Sequence, residues 1–372
     1  MGALTWHGKR DVRVEEALEQ GAARLRDLPG RTGRMRQGGA DAVSRTPART
    51  VVIIGASSGI GRATALRLAG EGANVVLVSR SRQSLAETEQ ECVAAGGAAL
   101  AVTADVCDAA AVDTAFASAL KTFGTVDAIV HSAAALAYGR FEDVPAAVFD
   151  KALDVTLRGT ANVARSALAV FDRQGRRGSL VVVGSLLGKI STPYMSSYVA
   201  PKWAVHGLVR TLQIEARSTP GIAISLVSPG GVNTPVYRQA GTYLGRHGRP
   251  PPPVDSPERV ARAIVRAIDR PRRERSVGPA NPLVLFGFRL LPGLFDRLVT
   301  PLMRLGGLSR DSAPVSPGNV LSPQPQGEAV HGRWGRHWMR PAAAVAAAMG
   351  TIAARRLAAE IHTENGNRKA KR

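Results

Sequence analysis

The sequence predicts a doubly wound α/β fold: a mostly parallel, seven-stranded sheet with helices on both faces, set between flexible N- and C-terminal extensions. Three observations carry this. Between residues 50 and 278, short continuous apolar runs alternate with helical patterns, as in parallel strands covered on both faces. A glycine-rich turn joins the first run to the first helix, at the strand end where open α/β sheets bind ligands. And 45% of the 372 residues are hydrophobic, enough for one large or two ordinary domains with a sizeable core.

In order, the run TVVII starts at residue 50 and passes through GASSGIG into a helix. NVVLVS (74–79) is a second strand, followed by a helix over Leu85–Ala95. AALAVTA (98–104), a helix over Ala110–Phe123, and DAIVHSA (127–133) come next. One long helix is expected across Ala146–Phe171, then SLVVVGS (179–185) and a helix over 196–217. IAISLVS (222–228), a helix over 257–268 and ERSVG (274–278) complete the sheet. Residues 1–49 lack sustained periodicity apart from a short helix around Val12–Leu28, and read as a flexible basic extension. Residues 50–280 are expected to form one α/β domain.

Beyond it, 281–305 is apolar but interrupted by Pro292, Pro301 and charged residues, too broken for a spanning helix. It reads either as an element packed on its own domain or a partner subunit, or as an amphipathic membrane-surface segment or lid. Residues 306–372 read as a Pro/Ser linker (306–327) and a basic, Ala-rich tail with one helix over 331–361.

The two cysteines, Cys92 and Cys107, make neither a disulfide framework nor a metal cluster. A reducing cytoplasm is the expected compartment, with peripheral membrane association through 281–305 as the variant. No metal is expected. The net charge of +20 invites a nucleic-acid reading, but no zinc-finger spacing or aromatic RNA-binding motif accompanies it. About half of the excess lies in residues 1–50 and 306–372. Nucleic acid is therefore not an expected partner.

GASSGIG (55–61) has the context a phosphate loop needs: it leaves a strand and opens a helix. Glycines let backbone N–H groups approach a pyrophosphate, and the helix N-terminus adds partial positive charge. Gly55, Ser57, Ser58, Gly59, Ile60 and Gly61 are the candidate contacts. At the end of the second strand an acidic residue would grip a ribose 2′-hydroxyl, whereas an arginine accommodates a 2′-phosphate. Ser79 and Arg80 stand there, which points to NADP (NADPH) over NAD. Asp105 and Val106, after the third strand, either face an adenine ring or supply a helix N-cap.

Tyr198 precedes Lys202 by four residues, one helical face. Chance supplies roughly 0.1 such Tyr–Lys pairs in a chain of this composition. Ser185 lies thirteen residues upstream at a strand's carboxyl end, so all three can face one crevice.

Together GASSGIG, Asp105–Val106, Ser185, YVAPK (198–202) and SPGGVNT (228–234) resemble the short-chain dehydrogenase/reductases, in that family's order and spacing. The resemblance covers residues 50–280. It implies that Tyr198 is the general acid or base, and that Lys202 lowers its pKa and holds the nicotinamide ribose. Ser185 would donate to the substrate oxygen. It further implies that Ser132 and Ala133, with Pro229, Gly230, Val232 and Thr234, touch the cofactor. The family's helix asparagine falls at Thr156, a shorter hydrogen-bonding side chain in the proton relay. His131-Ser132-Ala133-Ala134 replaces the usual Asn-Asn-Ala-Gly, with His131 a strand-end core residue. Pro201 inside the helix costs little if that helix begins near Ser196.

The resemblance implies a homo-oligomer through helices 146–171 and 196–217. The expected function is an NADP-dependent oxidoreductase acting on a moderately hydrophobic alcohol or ketone, with Tyr237, Tyr243 and Leu244 on the substrate loop. The alternative is a cofactor-binding scaffold or sensor with weak or lost catalysis, suggested by Thr156 and the altered HSAA stretch.

Overall fold

Period-two alternation decides which layer each strand residue enters. In β1 (Thr50–Ile54), Val52 and Ile54 join a buried cluster with Phe116 and Phe171, while Val51 and Ile53 join another with Leu68 and Ile264. Each such side chain contributes about 1.5–3 kcal/mol by leaving water. Two apolar layers thus sandwich the sheet. The computed structural model describes residues 48–334. The helix expected over Val12–Leu28, and nearly all of that expected over 331–361, lie outside the described residues.

After β1 come α1 (Gly59–Gly70), β2 (Asn74–Ser79), α2 (Arg82–Ala94), β3 (Ala98–Thr103), α3 (Ala109–Phe123) and β4 (Ala128–His131). Ser81 and Asp108 cap α2 and α3 by accepting from first-turn amides. A short β5 (Ala137–Tyr138) precedes α4 (Ala146–Leu153). The single long helix expected here is interrupted: a π-turn over Asp154–Arg158 separates α4 from α5 (Gly159–Arg173). β6 (Gly178–Val183), α6 (Ser196–Glu215) and β7 (Ile222–Pro229) follow, then a four-residue α7 (Val236–Gln239). β8 (Ala240–Thr242), β9 (Arg246–Gly248), α8 (Pro257–Asp269) and β10 (Glu274–Val277) complete the domain.

The seven-stranded sheet has the order β10–β7–β6–β4–β1–β2–β3, every pairing parallel. The chain builds outward from β1 to β3, then crosses back to β4 on the other side. This reversal opens a crevice beyond the carboxyl ends of β1 and β4, the place where doubly wound sheets hold ligands.

The C-terminal segments differ from a plain amphipathic stretch and linker. Residues 281–305 form α9 (Asn281–Leu290) and α10 (Pro292–Leu302), with a π-turn over Met303–Gly307. The stretch read as a linker contains β11 (Leu308–Ser312), antiparallel to β9, and β12 (Ser316–Gly318), antiparallel to β8. Val320 is fully buried in the cluster that holds Val78 and Val106. Composition suggested a free chain, but these backbone groups find partners far away in sequence.

Candidate active site

The phosphate loop closes on itself because its glycines have no Cβ. Gly55 adopts φ +84°, and a Cβ on Gly61 would fall 2.0 Å from the Gly55 carbonyl oxygen. Ser132, after β4, donates its hydroxyl to the Ile54 carbonyl at 2.9 Å and fixes the adjoining wall. The loop opens into a cavity of about 1030 Å³, at the upper end of the range for small-molecule sites. This backbone cradle at a helix N-terminus, with Arg80 in the cavity wall, fits a dinucleotide.

Of the residues the sequence singled out, the cavity brings together Gly55, Ser57, Ser58, Gly59, Ile60, Gly61, Ser79, Arg80, Val106, Ser132, Ala133, Ser185, Tyr198, Lys202, Pro229, Gly230 and Thr234. Three lie off it. The Asp105 carboxylate accepts from Lys151 at 3.0 Å and from the Cys107 amide at 2.9 Å, and Asp108 is the N-cap of α3. Val232 is buried and bridges to Asp255. Thr156 is fully buried in the π-turn, where its hydroxyl accepts from the Ala135 amide at 3.2 Å.

At the other end of the cavity, Ser185 stands two residues beyond β6 and α6 supplies Tyr198 and Lys202. The Lys202 Nζ donates to the Val183 carbonyl at 2.8 Å and lies 5.5 Å from the Tyr198 ring centroid. The expected lowering of the Tyr198 pKa is not what the surroundings produce. Burial pushes the phenol up to about 12, against an opposing hydrogen bond with Ser185. Burial pushes the Lys202 ammonium down to about 8. Both groups lose water, so each is driven toward its neutral form. α6 begins at Ser196, as expected, and Pro201 is its sixth residue. The Ser197 carbonyl consequently lacks its i+4 amide donor.

His131 is 2% exposed and neither ring nitrogen has a hydrogen-bond partner. Desolvation, reinforced by nearby Lys202, pushes its pKa down to about 3. His206 escaped the sequence reading. Its Nε2 accepts the Ser185 amide at 3.4 Å, and burial pushes its pKa down to about 4, so the ring stays a neutral acceptor. A Cβ on Gly184 or Gly188 would fall 2.6 or 2.4 Å from that ring. The two glycines flanking Ser185 were the available signal. The greasy end of the cavity is lined by Leu136, Tyr138, Met195 and Tyr237, and its mouth by side chains of α9 and α10, among them Leu283, Leu294 and Leu298.

The C-terminal segment also reaches this site. The Gly59 amide donates to the Ala329 carbonyl at 2.8 Å. Arg80 donates to the Asn319 and Val320 carbonyls at 2.7 and 3.3 Å. Among the described residues no group of three or more His, Cys, Asp or Glu converges as a metal site.

A parallel sheet reversing at a phosphate loop, with Ser, Tyr and Lys beside it, defines a nicotinamide-dependent oxidoreductase. Residues 49–243 match the short chain dehydrogenase family model, and the chain belongs to that family. It is 33% identical over 259 residues to the uncharacterized oxidoreductase YxnA of Bacillus subtilis, covering 68% of this chain and 72% of that protein. A short chain dehydrogenase from Mycobacterium paratuberculosis, solved bound to NAD, superposes with a TM-score of 0.55 at 25% identity, over 62% of this chain and 96% of that one. An alcohol dehydrogenase from the archaeon Thermococcus sibiricus, solved with 5-hydroxy-NADP, gives 0.54 at 30% identity over 62% and 96%.

Proposed function

We propose that the chain is an NADP-dependent oxidoreductase that interconverts a moderately hydrophobic alcohol and its ketone. The observation that carries this reading is the meeting of Ser185, Tyr198 and Lys202 with the phosphate loop in one cavity. A bound nicotinamide supplies or accepts the hydride. Ser185 donates to the substrate oxygen and steadies its developing charge. Tyr198 passes the proton to or from that oxygen, and Lys202 holds the nicotinamide ribose. At neutral pH the buried phenol keeps its proton, which favours the reductive direction. Arg80 at the end of β2 supports NADP over NAD. The leucines of α9 and α10 around the mouth support an apolar substrate.

The same exposed leucines, with Arg289, Arg297 and Arg304 beside them, support peripheral contact with an anionic membrane. No helix among the described residues is long and apolar enough to cross one. Trp203 and Ile214 are exposed on α6 and support association through that helix.

The test is equilibrium titration with NADPH and NADH, followed by turnover on a panel of aliphatic and aromatic ketones. Tyr198→Phe should lower kcat at least 10³-fold with NADPH binding and melting temperature retained. Undiminished turnover in that variant would overturn the mechanism. The second reading, a cofactor-binding scaffold, is favoured by the Thr156 hydroxyl being bonded to Ala135. It predicts tight NADPH binding with no turnover across the panel.

A further inference from the structure

We propose that residues 319–334 are the roof and exit gate of the dinucleotide site, so that cofactor is exchanged only when this segment unlatches. The proposal rests on reading the cavity as a dinucleotide site.

The segment has main ties at three places, and a longer bond of 3.5 Å from Gln239 Nε2 to the Gln324 carbonyl lies between the first two. At its start, the Asn319 and Val320 carbonyls accept from Arg80, and the Asn319 amide donates to the Gln239 carbonyl at 2.8 Å. In the middle, the Ala329 carbonyl takes the Gly59 amide of the phosphate loop at 2.8 Å. At its end, the Gly332 amide donates to the Asn233 carbonyl at 3.1 Å and the Trp334 amide to Asn233 Oδ1 at 2.8 Å. His331 Nε2 meets Glu258 Oε1 at 2.6 Å. The path therefore runs from the end of β2, over the loop before α1, to the turn after β7. Asn319 at the first tie, with Pro323 and Glu328 between the ties, forms part of the cavity wall.

The character of these ties is that of a part that opens. Val320 anchors the segment in the core, yet every residue from 321 to 334 is exposed or half-buried. It is held by separate hydrogen bonds and not by apolar mass, the class of element that unfolds locally while the rest stays folded. Glu328 Oε2 is buried against the cavity with no partner. A buried acceptor left unpaired is costly. The ribose hydroxyls and adenine amine of a dinucleotide are donors that an occupant brings. The roof thereby gains a bond when the site fills.

The test uses full-length protein loaded with NADPH and chased with excess NADP⁺ in a stopped-flow fluorimeter. Gly332→Val is the probe, because a Cβ there falls 2.5 Å from the Thr234 carbonyl oxygen and prises the last tie apart. Release and association should both accelerate at least tenfold, with the equilibrium Kd changing less. His331→Ala, which removes only the Glu258 pair, should act in the same direction with a smaller factor. In the wild type, NADPH should slow hydrogen exchange across 319–334. The gate is refuted if release is unchanged in Gly332→Val while exchange shows the segment detached, or if NADPH leaves exchange there unaltered. A wild type that binds neither NADPH nor NADH refutes the dinucleotide reading itself. Binding with unchanged rates refutes only the gate.

Discussion

At the residue scale, the proposed chemistry turns on two groups that burial moves in opposite directions. Tyr198 rises to about 12 and Lys202 falls to about 8. Well below pH 8 the lysine is a cation and the phenol keeps its proton, the combination that the proposed reduction needs. We expect kcat/KM for reduction to hold steady from about pH 6 to 7, to be halved near pH 8 and then to fall toward a tenfold loss per pH unit as Lys202 deprotonates. A pH–rate profile still climbing at pH 9 would contradict this. That Ser185, Tyr198 and Lys202 face one crevice was legible in the sequence because strand-end placement and helical spacing are local properties. His206 was not. It acts through the amide of a residue twenty-one positions earlier, and only the folded α6 brings the two together.

At the scale of elements, α9 and α10 leave their apolar faces uncovered. Leu294, Leu298 and Leu302 recur every four residues on α10 and are 52%, 44% and 61% exposed. Such a stripe is the face by which an amphipathic helix lies in a bilayer interface. Sedimentation with vesicles containing 30% anionic lipid should recover the protein, and Leu294→Glu with Leu298→Glu should cut binding at least tenfold. High salt should weaken it by screening the arginines. Equal recovery of the double variant would remove this contact. The apolar character of 281–305 was legible, but its neighbour 306–327 was misread. Proline, serine and glycine are the usual content of linkers, and nothing local reveals that β12 pairs with β8 seventy-odd residues away. The interruption of the helix after Leu153 was equally hidden, since the sequence there keeps its helical pattern.

At the scale of the whole molecule, two buried imidazoles make the fold sensitive to acid. His131 and His206 are held neutral, with folded pKa values of about 3 and 4 against an ordinary 6.5. Their stabilising contribution is complete above pH 6.5 and is lost as pH falls toward those values, because the unfolded chain binds the protons more readily. Each should cost up to about 1.4 kcal/mol per pH unit in that window. Thermal melts should therefore drop steadily from pH 6.5 to 4.5, and a flat melting temperature there would show that the rings are accessible when folded. The doubly wound parallel architecture followed from the sequence because continuous apolar strands and intervening helices allow few arrangements. What no local pattern encoded is that Arg80 joins the second strand to a segment 239 positions later. On the proposed NADP reading, that one side chain serves two systems. Anyone redesigning cofactor preference by the obvious exchange at Arg80 would also cut a strut of the carboxyl-terminal region, and the resulting phenotype would mix lost phosphate affinity with lost architecture.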